Sequence, residues 1–171
     1  MKYHYRYCSN CGELFDKKSD IFYVCPKCDF RIFISPKPGT GAFIFNDKEQ
    51  LLMVKRSIEP NYGKWGIPGG FIDPGESAPV ALTREIKEEL GICINKFTYF
   101  GSYSADYLHK DINYKLLNTY YLAEIDNVER INLLETEASE LKFIYLNQIK
   151  IEDVASDIRE AIIELIQSKL H

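Results

Sequence analysis

The sequence predicts an α/β protein: a small cysteine ribbon over residues 1–34, then a mixed α/β domain over residues 35–171. Three observations carry this reading. Two C-x-x-C pairs lie close together near the start of the chain. Behind them, short runs of β-branched and aromatic residues alternate with turn residues, the mark of strands. One stretch of good helix formers with apolar residues four apart interrupts the strands, and a second helical pattern closes the chain.

With 171 residues the chain can build one sizeable core and a small appendage. Its 46% apolar and 27% charged residues are those of a globular protein. No apolar run reaches the length of a membrane span, and the first residues, M-K-Y-H-Y-R-Y-C, lack an apolar signal region. A cytoplasmic protein without membrane contact is therefore expected. The net charge of −4 is unevenly spread: residues 1–40 carry seven Lys/Arg and four Asp/Glu, which leaves −7 on the remainder. If four thiolates hold one Zn²⁺, the first part falls to about +1. That balance gives no basic footprint and counts against nucleic acid as a partner.

Cys8-Ser9-Asn10-Cys11 and Cys25-Pro26-Lys27-Cys28 are separated by thirteen residues. Such knuckles offer four soft ligands, Cys8, Cys11, Cys25 and Cys28, to a tetrahedral zinc ion. Gly12 and Pro26 suit the tight turns this requires. Disulfides are one alternative, disfavoured in a reducing compartment. A redox C-x-x-C is another, disfavoured by the presence of two copies. Four protein ligands leave no open position, so the zinc would be structural. Tyr3, Tyr5, Tyr7, Phe15, Phe22 and Tyr23 are expected to cover the ribbon; the alternative is an aromatic surface on which bases stack.

Ser35-Pro36-Lys37-Pro38-Gly39 reads as the linker. Strands are expected over 40–45 and 51–56, with Asn46-Asp47-Lys48 as the hairpin turn. Lys55 and Arg56 close the second strand, where they are either solvated or in contact with phosphates; Arg56 is a substrate-binding candidate. Residues 60–66 form a loop with the single tryptophan, Trp65, as a packing residue.

The stretch 69–92 reads G-G-F-I-D-P-G-E-S-A-P-V-A-L-T-R-E-I-K-E-E-L-G-I. Ser77 suits a helix N-cap, Pro79 a first turn, and Gly91 the position just past the end. Between them, Leu82, Ile86 and Leu90 form one apolar stripe. Glu85, Glu88 and Glu89 fall on an adjoining face, with small Ala78 and Ala81 in the same sector. Three carboxylates this close repel one another unless a cation sits among them. Hard oxygen ligands on a rigid element suit Mg²⁺ or Mn²⁺. The Pro68-Gly69-Gly70 turn lets backbone approach a ligand closely, and the Gly69 carbonyl is a candidate for the same metal shell. An isolated E-x-x-E-E would more simply be a solvated acidic face. The glycines and arginine in register favour the metal reading.

Beyond this helix, Cys93 reads as a small core residue in a strand-like run. Strands are expected over 97–103 and 115–125, flanking a polar loop over 104–113. In that loop Tyr107 is a candidate to stack on a base and His109 an auxiliary acid or base; each is otherwise a surface residue. Glu135, Glu137 and Glu140 precede a strand expected over 141–146. Ile151, Val154, Ile158, Ile162 and Leu165 recur at helical spacing, so a final helix should pack on the sheet.

Gly70, five residues, Glu76, seven residues, Arg84-Glu85-Ile86, a spacer, Glu88-Glu89, a spacer, and Gly91-Ile92 complete a pattern. It resembles the box of the Nudix hydrolases, G-x5-E-x7-R-E-U-x-E-E-x-G-U with U apolar, at every specified position. The resemblance implies an α/β/α sandwich with a mixed sheet, the box forming loop, helix and loop. It implies a hydrolase that cleaves nucleoside diphosphates linked to another moiety, using Mg²⁺ or Mn²⁺. Glu85, Glu88 and Glu89 would hold the ions, and Glu88 or Glu85 would take the proton of the attacking water. Arg84 would orient a glutamate; Glu76 would support the loop or an outer metal water. Many members carry a further acidic ligand or base near Glu135, Glu137 and Glu140, an ordinary acidic loop being the alternative.

The ribbon is similar to the one that precedes the catalytic domain in NADH pyrophosphatases and in bacterial and chloroplast FAD/ADP-ribose-type members. The small-molecule substrate implied is ADP-ribose, FAD, NADH or a related dinucleotide. NADH pyrophosphatases carry an S-Q-P-W-P-F-P-type motif after the box, where this chain has G-S-Y-S-A-D-Y, which argues against NADH. Two alternatives remain. One is an RNA 5′-end pyrophosphohydrolase with the ribbon as RNA grip, disfavoured by the missing basic patch. The other is a nucleotide-sensing regulatory protein, disfavoured by the intact glutamates. A homodimer stays open.

Overall fold

The structure is a computed structural model and describes residues 5–17, 21–125, 131–133 and 138–169. Its first part is a three-stranded antiparallel sheet: β1 (Asp16–Lys17), β2 (Phe22–Val24) and β3 (Arg31–Phe33), in that spatial order. Two turns carry the cysteine pairs. The Gly12 N–H donates back to the Cys8 carbonyl at 2.9 Å, and the Asp29 N–H to the Cys25 carbonyl at 3.0 Å. Tyr23 is buried, with the rings of Tyr5 and Phe15 at 5.9 and 5.7 Å from its own. Tyr3 lies outside the described residues.

The second part is one large sheet of β4 (Lys37–Phe45), β5 (Leu51–Arg56), β6 (Trp65–Gly66), β7 (Gly69–Phe71), β8 (Phe97–His109), β9 (Ile112–Glu124) and β10 (Ala138–Ile144). The path runs β10-β5-β4-β9-β8, with β6 on β5 and β7 on β4. β4 and β9 are parallel, in register from Lys37 opposite Leu116 to Phe45 opposite Glu124. The other pairings are antiparallel, so the sheet is mixed.

Alternation along the central strands sends side chains to both faces. Ala42, Ile44 and Leu52 pack with Leu82, Ile86 and Leu90 of helix α1 (Ala78–Leu90). Phe43, Leu51 and Met53 face the other way, into Ile162 and Leu165 of helix α2 (Arg159–Lys169). The result is an α/β/α sandwich. Because β5 is covered on both sides, its first four residues are all apolar. The expected α1 stripe is fully buried; truncating one such leucine to alanine costs about 2–5 kcal/mol. Gly91 ends α1 in the left-handed region at φ 68°, its N–H on the Lys87 carbonyl. Ser77 stands at the N-cap with extended backbone, but its hydroxyl makes no capping bond, unlike the expectation.

Four further local expectations change. Lys37, Pro38 and Gly39 belong to β4 rather than to a linker, because β9 runs parallel beside them and Gly39 pairs with Phe71. The polar stretch 104–113 is the outer half of the β8–β9 hairpin, with Asp106 opposite Lys115 and Tyr107 opposite Tyr114. Cross-strand pairs stabilise such a ladder even where its side chains are polar. Cys93 is exposed between buried Ile92 and Ile94 and lies in no strand. The closing helical pattern splits into a 3₁₀ turn, Ile151–Asp153, and α2, because the Ala155 N–H turns aside to the Trp65 carbonyl at 2.8 Å. Its apolar residues still share one core.

Candidate active site

The loop between β7 and α1 is anchored on β4. Gly41 pairs with Gly69, Thr40 with Gly70, and the Ile72 N–H donates to the Pro38 carbonyl at 3.1 Å. Side chains are excluded here. At Gly69, φ is 144° and a Cβ would stand 2.2 Å from the Thr40 carbonyl oxygen. At Gly70, a Cβ would stand 2.5 Å from the Glu85 carboxyl. The two bare α-carbons let the helix carboxylates close against the turn: the Gly69 N–H donates to Glu89 Oε2 at 2.9 Å.

Arg84 ties the loop to the helix. Its Nε and Nη2 each donate to one oxygen of Glu76 at 2.9 Å, and Nη2 also reaches the Phe71 carbonyl at 3.1 Å. Nη1 donates to Glu85 Oε1 at 2.8 Å and to Glu88 Oε2 at 3.2 Å. Bidentate, charge-assisted bonds of this kind are strong and directional. Arg84, with the Asp73 N–H, holds the Glu76 carboxyl below the usual carboxylate range. Glu76 and Glu85 in turn raise Arg84 further above its ordinary value, so it is always charged. Glu85 is sheltered, its side chain 16% exposed, while Glu88 is 57% exposed. Ala81 is buried beneath this face and adds no bulk to it.

A cleft of about 230 Å³ opens beside Gly69 and Gly70. Arg56 and Tyr107, the two substrate candidates, both line it. Arg56 Nε is held by the Pro60 carbonyl at 3.0 Å, and the Tyr107 ring meets Phe71 edge-on at 5.9 Å. A larger hollow of about 680 Å³ lies at the other end of β4, beside Phe45, Leu122 and Lys169, and contains no residue of the stretch 69–92.

Other candidates lie elsewhere. His109 ends β8 opposite Ile112 and is not among the cleft-lining residues. Trp65 packs in the α2-side core under Lys55 and Lys142, in keeping with a packing role. Glu140 accepts from Lys142 at 3.0 Å and Lys55 at 3.4 Å, and these lysines hold its carboxyl low. Glu135 and Glu137 lie outside the described residues. Thr40, Asn118 and Tyr120 also line the cleft and were not singled out from the sequence. The one signal was a polar Asn inside the aromatic-rich run of β9.

In the ribbon the sulfurs of Cys8, Cys11, Cys25 and Cys28 all lie within 4.8 Å of one another. Cys8–Cys28 and Cys11–Cys25 are 3.7 and 3.4 Å apart, too long for disulfides. A zinc tetrahedron with arms of about 2.3 Å has edges of about 3.8 Å, which these separations approach. Asn10 Nδ2 and the Phe30 N–H pull Cys28 down to about 6, towards the thiolate that zinc binds. Cys11 is pushed up to about 12 although the backbone of Glu13 favours its thiolate, because burial and the neighbouring sulfurs oppose further charge. A divalent cation would relieve that conflict. Among the described residues, these four cysteines already bring their ligand atoms together as a metal site requires.

The NUDIX domain family matches residues 35–165. The chain belongs to the NUDIX family. An ADP-ribose pyrophosphatase of Methanocaldococcus jannaschii is 34% identical over 76 residues, 44% of this NUDIX chain and 44% of that protein. An NAD-capped RNA hydrolase NudC of Mannheimia succiniciproducens is 34% identical over 104 residues, 57% of this chain and 39% of that protein. The chain thus spans less than half the length of these relatives. The crystal structure of a MutT NUDIX hydrolase from Burkholderia pseudomallei superposes with a TM-score of 0.65 at 27% identity, covering 76% of this chain and 97% of that one. Among the described residues, no helix of this NUDIX protein is long and apolar enough to cross a membrane.

Proposed function

We propose that this NUDIX protein hydrolyses the pyrophosphate bond of a nucleoside diphosphate joined to a second moiety, ADP-ribose or a related dinucleotide such as FAD or NADH. One observation carries the reading. Arg84 holds Glu76, Glu85 and Glu88 at one edge of the Gly69–Gly70 turn, and a cleft of about 230 Å³ opens beside that turn.

The donor set suits Mg²⁺ or Mn²⁺: Glu85, Glu88, Glu89 and the Gly69 carbonyl are hard oxygens, and the bare Gly70 α-carbon leaves space against the Glu85 carboxylate. When bound, such ions neutralise the diphosphate and acidify a water. The remaining work falls to the chain. Glu88 takes the proton of the attacking water on the oxygen that Arg84 does not hold, with Glu85 as the other candidate. The water oxygen bonds to one phosphorus as the bridging P–O bond breaks, and the charge leaves on the departing phosphate. Arg84 keeps the carboxylates aimed, and Glu76 fixes Arg84. Arg56 and Tyr107 contact the substrate from the cleft wall.

Residues 1–34 form a structural zinc ribbon and residues 35–171 the hydrolase domain in this reading. A reducing, cytoplasmic setting suits four thiols held as zinc ligands. The relative named as an NAD-capped RNA hydrolase favours a second reading, cleavage at RNA 5′ ends. The acidic body of the chain speaks against it.

A panel of ADP-ribose, FAD, NADH, nucleotide sugars, nucleoside triphosphates and capped RNA, with Mg²⁺ or Mn²⁺, separates these readings. Turnover of a dinucleotide that disappears in Glu88→Gln and Glu89→Gln is expected. Cleavage confined to RNA ends would select the second reading, and no turnover of any member would leave only a nucleotide sensor.

A further inference from the structure

Strand β5 ends at Arg56 and β6 begins at Trp65; the loop 57–64 between them adds Ile58 to the wall of the cleft, next to Arg56. Backbone closes the base of this loop. The Arg56 N–H donates to the Lys64 carbonyl and the Gly63 N–H to the Arg56 carbonyl, both at 2.9 Å. Its turn at Asn61 is held differently, by side-chain bonds to a distant part of the chain. Asn61 Oδ1 accepts from the Ser156 N–H at 3.2 Å and from the Ser156 hydroxyl at 3.1 Å. Asn61 Nδ2 donates to Asp157 Oδ1 at 3.2 Å. A backbone N–H can only donate and a carboxylate only accept, so the orientation of the amide is fixed. The partners lie 95 and 96 residues further along, so this is not the local turn that Asn commonly makes with its own neighbours.

The anchor point is itself anchored. The Asp157 carbonyl accepts from Tyr120 Oη at 3.3 Å, which ties it to β9. Asn61 is not among the residues that line the cleft, so it acts there only through its neighbours. The neighbour that matters is Pro60, whose carbonyl accepts from Arg56 Nε at 3.0 Å. That bond uses Nε and leaves the Nη1–Nη2 edge of the guanidinium fork to meet an anion. A loop of this length, held only at its base, would spread the Pro60 carbonyl over many positions. Fixing it in advance removes an ordering cost that binding would otherwise carry.

We propose that Asn61 is a positioning residue: it latches the loop 57–64 to Ser156 and Asp157 and, through the Pro60 carbonyl, sets the Arg56 guanidinium towards the cleft. That the group Arg56 meets is a substrate phosphate rests on the pyrophosphohydrolase reading. The latch itself rests on the contacts of Asn61, Pro60 and Arg56.

Two readouts test this, one of them independent of turnover. Asn61 sits at φ 68°, so Asn61→Gly keeps the backbone and removes only the side chain. In heteronuclear NMR spectra of the whole chain, the Arg56 Nε–H is identified by its loss in Arg56→Ala. It should exchange with water at least about 10-fold faster in Asn61→Gly than in wild type. In hydrolysis of ADP-ribose with Mg²⁺, Asn61→Gly and Asn61→Asp should each raise KM about 10-fold, the scale of one hydrogen bond to a charged group, and leave kcat within about twofold. In an Arg56→Ala background, Asn61→Gly should add no further loss, because the two residues act in one chain of contacts. Asn61→Asp sets a second carboxylate against Asp157. Joining it with Asp157→Asn exchanges donor and acceptor and should recover most of the KM. Thermal unfolding checks each variant, and Asn61→Asp with its rescue carries the test if Asn61→Gly does not fold. Unchanged Nε–H exchange, an unchanged KM, an equal effect of Asn61→Gly with and without Arg56, or a failed rescue overturns the proposal. Nε–H protection lost in Asn61→Gly, in a protein that turns over no member of the substrate panel, upholds the latch on Arg56 and sinks the hydrolase reading instead.

Discussion

Arg84 grips Glu76 through two hydrogen bonds of equal length, Nε to Oε1 and Nη2 to Oε2, both 2.9 Å. A lysine cannot reproduce that fork. The remaining nitrogen, Nη1, reaches Glu85 and Glu88, so one guanidinium joins the loop to two helix carboxylates. Arg84→Lys keeps the charge and loses the geometry. We expect kcat to fall by about 10- to 100-fold, as when a group supporting metal ligands is removed. KM should move far less, because Arg84 acts through the glutamates. Steady-state kinetics decides: a raised KM at unchanged kcat would put Arg84 on the substrate.

The same pair makes a pH prediction. Arg84 and the Asp73 N–H depress the Glu76 pKa in the folded protein. A depressed carboxylate adds stability that is fully present above its unfolded value, near 4.3, and is lost as pH falls through the folded value. Glu76→Gln lacks this contribution at every pH. Thermal midpoints of wild type and variant should therefore differ at pH 7 and draw together below about pH 4. The effect will be small for a pair this close to solvent. A gap that stays constant down to pH 3 would show that the ion pair adds nothing to stability.

Gly69 and Gly70 separate structural from functional cost. A Cβ at Gly69 would meet backbone, 2.2 Å from the Thr40 oxygen, at a φ that side chains rarely adopt. Gly69→Ala should destabilise on the order of 1–3 kcal/mol. A Cβ at Gly70 would meet the far end of a side chain, the Glu85 carboxyl at 2.5 Å, which can swing away. Gly70→Ala should thus keep its thermal midpoint near wild type and lose activity, by at least about 10-fold if Glu85 must hold its place. Chemical denaturation and kinetics on the two variants test the split. Equal loss of stability in both would contradict it.

How far the sequence anticipates this depends on how local the determinant is. The α1 stripe Leu82, Ile86 and Leu90 was legible because helical period alone puts those residues on one face, and all three are buried. β5 was legible, since a strand covered on both faces is a plain apolar run, here Leu51 to Val54, with Lys55 and Arg56 closing it. The β8–β9 hairpin was not. Its outer half has polar strand residues such as Ser104, Asp106 and Asn113, whose pairing depends on a partner strand that no local pattern reveals. Pro38 misled for a similar reason: it looks like a linker residue, and only the parallel register with β9 makes it a strand residue. The box glutamates could be placed on one helical face by spacing. Thr40 and Asn118 could not be placed together, because the parallel pairing of β4 and β9 joins positions far apart in the chain, with Thr40 opposite Thr119.

The ribbon can be tested apart from the hydrolase chemistry. Four sulfurs within 4.8 Å of one another, unbridged by disulfides, should bind zinc, at about one ion per chain by elemental analysis of purified protein. Among the described residues of the ribbon, Tyr23 is the one large aromatic side chain that is buried, so little besides the metal holds it. Removing zinc with a strong chelator, or replacing Cys25 by Ser, should unfold residues 5–33 and abolish their amide protection from exchange. The large sheet has its own two cores and should keep its protection, together with most of the turnover of a small dinucleotide. Protein that contains no zinc, or a ribbon that stays protected after metal removal, would mean that packing rather than metal holds this segment. Collapse of the large sheet with the ribbon would mean instead that residues 1–34 and 35–171 fold as one unit.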